Sequence, residues 1–170
     1  MLFRSGLVLS SQEEDGSILY RKLNWPEEWN ITVCVPDYEL STEISRSVLP
    51  KEVPMEDAVF NAKRLGMFIQ AVNTKDAELM KLALQDKLHQ PYRMKLVPGL
   101  DKIIENLKHE ENVLGCVLSG AGPSIIVISQ KNNLDKIKSI IKDTWDDMNV
   151  KVNIMTLPVE NEGAQIISHE

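Results

Sequence analysis

The chain has 170 residues, enough for one domain with its own core, and its 43% apolar and 26% charged composition is that of an ordinary globular protein. A net charge of −6 and a pI of about 5.2 argue against general nucleic-acid binding, which needs a basic face, but leave room for a local anion site. No apolar run approaches the ~20 residues that span a bilayer, and residues 1–5 lack the long apolar stretch of a secretory signal. Cys34 and Cys116 lie inside strand-like apolar runs and read as buried free thiols. With no Cys-x-x-Cys or His-x-x-x-His pair, a metal site has no support in the sequence, and the combination points to the cytoplasm.

Residues 1–5 read as a non-native leader, an assembly scar at the front of a truncated reading frame. Residues 6–11 and 17–23 are β-prone and separated by an Asp15-Gly16 turn signal, which predicts a hairpin. A connector carrying Trp25 and Trp29 completes an amino-terminal unit over 6–30, and the main domain is expected over 31–170. Residues 31–35 form a nearly continuous apolar run, the pattern of a central buried strand, closed by Pro36. Ser41 is a good N-cap, with Glu43 in the first turn, so a short helix should run to about Val48. Thr42 and Arg46 share one face of it; spacing alone reads that face as solvated, with Arg46 paired to a carboxylate.

After a linker at 50–54, Ala58, Ala62, Leu65, Ile69 and Val72 form a helical stripe that predicts a long core-facing helix. Thr74 is expected to cap a second helix, with Met80, Leu84 and Leu88 inward, which ends at His89-Gln90-Pro91 because a residue before proline is pushed out of helical geometry. The cluster His89-Gln90-Pro91-Tyr92-Arg93 reads either as a ligand site on a rigid turn or as a helix end with a surface arginine. Pro98-Gly99 opens a helix with Leu100, Ile103, Ile104 and Leu107 inward. Asn133 is the N-cap candidate for another, with the stripe Leu134, Ile137, Ile141 and Trp145. Strands are expected over 150–157 and 163–167.

Between two apolar runs of strand length, 113–118 and 125–129, lies Ser119-Gly120-Ala121-Gly122-Pro123-Ser124. Two glycines can adopt positive φ and let another backbone or a ligand approach, and successive N–H groups there can cradle an anion. A tight turn of small residues explains the composition equally well. It is not a Walker A loop, which ends in Gly-Lys-Ser/Thr and opens a helix.

This loop resembles the third motif of the galactokinase, homoserine kinase, mevalonate kinase and phosphomevalonate kinase (GHMP) family. Two further stretches are similar to the homoserine kinase branch in particular: Val35-Pro36-Asp37-Tyr38-Glu39-Leu40-Ser41-Thr42 with Arg46 and Leu49-Pro50, and His89-Gln90-Pro91-Tyr92-Arg93. Their order matches the carboxy-terminal half of those enzymes, over residues 6–167. The Gly-rich nucleotide loop of the family's amino-terminal half has no counterpart in this sequence. The resemblance implies an α+β fold, a ferredoxin-like sandwich with a largely antiparallel sheet and helices packed on one face.

It also implies transfer of the ATP γ-phosphoryl group, with Mg²⁺, to the hydroxyl of L-homoserine, a step of threonine biosynthesis. Thr42, Arg46, Arg93 and Gly120 would bind the amino acid, with the arginines on its carboxylate. Ser119, Ala121, Gly122 and Ser124 would face the phosphate loop of a missing amino-terminal nucleotide-binding half. His89 and Asp37 are further candidates, and no residue is assigned as catalytic base. A second copy of the chain is a further candidate partner. On this reading the chain alone is inactive. The rival readings are a free-standing ferredoxin-like ligand-binding or regulatory module, and another small-molecule kinase of the same family.

Overall fold

Period-2 and period-3.6 apolar patterns divide the chain into twelve strands and α-helices, with a short 3-10 turn at Met94–Leu96, among the described residues, which run from 6 to 161 in the computed structural model. In chain order these are the hairpin β1 (Leu7–Gln12) and β2 (Ile18–Leu23), strand β3 (Trp29–Pro36), then five helices: α1 (Thr42–Ser47), α2 (Met55–Thr74), α3 (Ala77–Ala83), α4 (Gln90–Arg93) and α5 (Leu100–Lys108). Strands β4 (Val113–Leu118) and β5 (Ile125–Gln130), helix α6 (Leu134–Asp146) and strand β6 (Val152–Leu157) complete the set. The leader at 1–5 and the strand expected at 163–167 lie outside the described residues. No described helix is long and apolar enough to cross a membrane.

Four strands form one sheet in the order β4-β5-β3-β6, with every neighbouring pair antiparallel. β3 and β4 therefore run parallel with β5 between them, the split β-α-β arrangement of a ferredoxin-like sheet. β3 is central, as its unbroken apolar run requires: Cys34 faces Ile125 on one side and Ile154 on the other. The amino-terminal hairpin is a separate two-stranded sheet, turned at Gly16 with φ +81°, where the Asp15 carboxylate accepts the Ser17 N–H at 2.8 Å.

Strand alternation assigns the core residues to two faces. Ile125 and Val127 join Cys34, Leu100, Ile103, Leu107, Ile141 and Trp145 in one buried cluster, so α5 and α6 cover that face as expected. Ile126 and Ile128, of opposite parity, join a second cluster with Trp29, Ala71, Val72, Met80 and Leu114. The end of α2, together with α3, thus reaches the other face. Helices α5 and α6 are locked at their junction. Trp145 Nε1 donates to Pro98 O at 2.8 Å, and Gly99, at φ +73°, lies so close to Met148 that an added Cβ would be 2.6 Å from its Sδ.

Several local expectations need correction. The cap of α3 is Asp76, whose carboxylate accepts the Leu79 N–H at 2.9 Å; Thr74 ends α2 and donates to Gln70 O instead. Lys75 takes the left-handed turn between the two helices, which moves the cap two residues along. α3 closes at Ala83, and the His89–Arg93 stretch begins a new short helix because Pro91 is tolerated in a first turn. Asn133 holds the cap position of α6 at φ 62° without a side-chain cap bond. On α2, Val72 is buried and Ala58 and Ile69 are half-buried, but Ala62 and Leu65 are exposed, as are Met55 and Val59 beside them. Periodicity marks a face that something covers; among the described residues nothing covers this part of it.

Candidate functional site

α1 begins because Pro36 closes β3 and the Ser41 hydroxyl then accepts the Ile44 N–H at 3.1 Å. Its one fully buried residue is Ser45, a serine with 0% exposure. A buried hydroxyl needs a partner, and Ser45 Oγ donates to Ala121 O at 2.8 Å, which pins α1 to the glycine loop. Ser45 O in turn accepts Arg93 Nε at 3.1 Å, and Arg93 Nη1 donates to Gly120 O at 3.1 Å. One guanidinium therefore joins α1, α4 and the loop.

α4 is fixed by a carboxylate that belongs to none of the motifs. Asp86 accepts the N–H groups of Leu88, His89 and Gln90 and the Asn61 amide. Burial pushes its carboxyl up, but the Asn61 bond and the three N–H bonds outweigh that and hold it below the ordinary aspartate value. Asp86 lies three residues ahead of the cap position, His89, so no ordinary cap signal marks it in the sequence. Gln90, part of the His89–Arg93 cluster, has a structural task as well: its Oε1 accepts the Leu118 N–H at 3.0 Å and so holds the entry to the loop. Ser45 left no sequence signal, because the groups it meets, Ala121 O and the Arg93 guanidinium, come from distant stretches.

The loop itself is a compact turn. Ser119 N–H donates to Ser124 O at 2.8 Å and Gly122 N–H to Ser119 O at 3.1 Å, and the Gly122-Pro123 peptide is cis. Gly120 and Gly122 adopt φ +61° and +86°. A Cβ at Gly120 would meet nothing within 4 Å, whereas one at Gly122 would lie against Leu118, Leu40 and Val97. Gly122 thus serves packing and Gly120 borders open space. The N–H groups of Gly120 and Ala121 donate to no group among the described residues. An open cleft of about 320 Å³ beside the loop is lined by Asp86, His89, Gln90, Arg93, Val117, Leu118 and Gly120, and not by Ala121.

The structure thus brings Arg93, Gly120, Ala121, Ser119, Gly122 and Ser124 into one cluster. Arg46 follows Ser45 on α1 and is exposed, with no side-chain hydrogen bond or ion pair among the described residues. Thr42, first residue of α1, is likewise exposed and unbonded. His89 is half exposed, its Nδ1 4.0 Å from Asp86. Asp37 is exposed after β3, anchored through its backbone N–H to Lys151 O at 2.9 Å. Chemically, the cluster offers guanidinium donors and unused loop N–H groups, a set suited to carboxylate or phosphate oxygens.

A family described as the GHMP kinase C-terminal domain matches residues 68–147. The homoserine kinase of Aquifex aeolicus is 40% identical over 167 residues, covering 98% of this chain and 55% of that protein. That of Caldicellulosiruptor bescii is 41% identical over 165 residues, 96% of this chain and 53% of that protein. The crystal structure of homoserine kinase from Cytophaga hutchinsonii superposes with a TM-score of 0.86 at 27% identity, over 96% of this chain and 51% of that one. The chain spans about half the length of the curated relatives it matches.

Proposed function

We propose that this chain, whose residues 68–147 match the GHMP kinase C-terminal family, forms the acceptor-binding half of a homoserine kinase. The reaction is transfer of the ATP γ-phosphoryl group to the side-chain hydroxyl of L-homoserine, giving O-phospho-L-homoserine for threonine biosynthesis in the cytoplasm. The observation that carries the reading is the Arg93 fork across Ser45 and Gly120. It holds a guanidinium at the wall of a cleft that Gly120, whose N–H donates to nothing among the described residues, also lines. Nε and one Nη1 hydrogen are taken by backbone carbonyls, which leaves the Nη2 end of the fork for a ligand carboxylate.

In this assignment Arg46, unpaired on the neighbouring turn, is the second guanidinium on the carboxylate, and Thr42 orients the amino acid. Phosphoryl transfer needs positioning and charge neutralisation more than covalent chemistry, so these residues work by holding the hydroxyl in line. The Ser119–Ser124 loop closes on a nucleotide-binding half that carries ATP and Mg²⁺. The exposed apolar residues Met55, Val59 and Leu65 of α2 and Ile18 and Leu19 of the hairpin support a further body packed against this one.

The test is a chimera in which the amino-terminal half of the Aquifex aeolicus homoserine kinase precedes this chain. ADP release should depend on homoserine, not on mevalonate or galactose, and the chain alone should give none. A folded chimera that prefers mevalonate or galactose, or homoserine-dependent turnover by the chain by itself, overturns the assignment.

A further inference from the structure

Gln90 and Asp86 have a second side. Across from the glycine-loop cleft they also line a cavity of about 400 Å³ between α3, α4, α5 and strand β4. Its floor is apolar, made by Leu84, Met94, Ile104 and Leu107, and its rim carries Lys81 and Lys108. The volume lies within the range of small-molecule sites. β4 is an edge strand, and a bulge between Val113 and Gly115 breaks its register at the cavity wall. Leu118 N–H faces the outer edge, where Gln90 takes it, while Ser119 N–H crosses to Ser124 O. By the two-residue repeat, Cys116, which lines the cavity, turns its own N–H and C=O to the same edge.

The charge balance of the wall selects the sign of a ligand. Asp86 is its one carboxylate, and that charge is already met by Asn61 and three backbone N–H groups. The two lysines hold only glutamates on their own helices, Glu78 at 2.8 Å and Glu105 at 3.7 Å, both exposed. Such pairs are worth little and exchange readily for a better anion. An apolar floor, two cations at the mouth and an outward main-chain N–H describe an amphipathic anion.

We propose that this cavity is a binding site for a small apolar carboxylic acid, branched or aromatic, with its tail on Leu84, Met94, Ile104 and Leu107 and its carboxylate at Lys81 and Lys108. The site is separate from the phosphotransfer assignment and stands whether or not that assignment holds. The experiment is an ¹⁵N–¹H NMR titration of the 170-residue chain with 4-methylpentanoate, and in parallel with 4-methylpentanol and 4-methylpentylamine. The acid should give saturable shifts at Leu84, Gly115 and Cys116, and should bind about tenfold tighter than the alcohol, the effect of one charge-assisted bond. Lys81→Glu with Lys108→Glu, both on the surface, should abolish the preference for the acid. Ile104→Trp should fill the cavity and remove binding of acid and alcohol alike. The proposal is overturned by the absence of saturable shifts, by amine binding equal to acid binding, or by a charge-reversed chain that still prefers the acid.

Discussion

Arg93 is placed to hold the protein together before it holds any ligand, and that makes its replacement by lysine informative. In the structure Nε donates to Ser45 O and Nη1 to Gly120 O, both at 3.1 Å. The first bond is partly buried and, as a charged donor to a carbonyl, contributes about 1.5 kcal/mol. The second is exposed and contributes no more than about 1 kcal/mol. Lysine has one compact ammonium and can meet one of the two carbonyls, so Arg93→Lys should cost about 1 kcal/mol; Arg93→Met loses both and should cost about 2 kcal/mol. For a chain of this length those losses lower Tm by about 2–4 °C and 4–8 °C. Thermal unfolding by circular dichroism reads them directly, and amide exchange at Gly120 and Ala121 should quicken in the same order. In the homoserine-active chimera Arg93→Lys should raise KM for homoserine well above any change in KM for ATP. If Arg93→Lys and Arg93→Met melt with the parent, the fork does not hold the loop. If both Michaelis constants rise equally, Arg93 is not a carboxylate clamp.

Asp86→Asn should destabilise the chain by about 1–3 kcal/mol at neutral pH, because an amide cannot accept all four donors. Since the folded carboxyl sits below its unfolded value of about 3.9, this stabilisation is complete above that pH and is lost as pH falls through the lower folded value. Urea midpoints of parent and variant should therefore converge only in strong acid; convergence near pH 6 would contradict the assignment. Burial pushes the Cys34 thiol up to about 12 and raises Cys116 as well, so neither should react with Ellman's reagent in the native chain at pH 8, while both react in urea. Prompt native labelling would show that the sheet face is open. Gly99→Ala should cost about 2–4 kcal/mol, from the left-handed backbone and the collision with Met148, and Met148→Ala should restore part of it. No change in Tm for Gly99→Ala would mean that the α5–α6 junction yields freely.

The sheet and the α5–α6 layer were legible because each is written in periodicity. The run at 31–35 is the central strand that its apolar content predicts, though only Thr32 and Cys34 are fully buried and Val35, on the other face, is exposed, and Ile137, Ile141 and Trp145 repeat at helical steps. What the sequence hid were choices made by single bonds. Thr74 and Asp76 are both good caps, and the left-handed Lys75 between them decided for Asp76. Along α2, Leu65 belongs to the same stripe as Val72, yet one is exposed and the other is 2% exposed. A stripe records that a face is meant to be covered and is silent on what covers it.

The same reasoning explains why the site was half legible. The three stretches that carry the resemblance lie far apart in the chain, and their convergence was an inference from family likeness. The contacts that hold them together involve Ser45 Oγ, Gln90 Oε1 and a carboxylate at Asp86, all side chains with no periodic signature. Each satisfies a backbone group of another stretch: Ala121 O, Leu118 N–H and the start of α4. Loops cannot bury their backbone polar groups unpaired, so a glycine turn whose own two bonds leave other backbone groups unmet must borrow partners for them from neighbouring elements. That requirement fixes which residues can surround it, and Arg93, with two donors spent on such groups and one end free, sits where structural need and ligand binding meet.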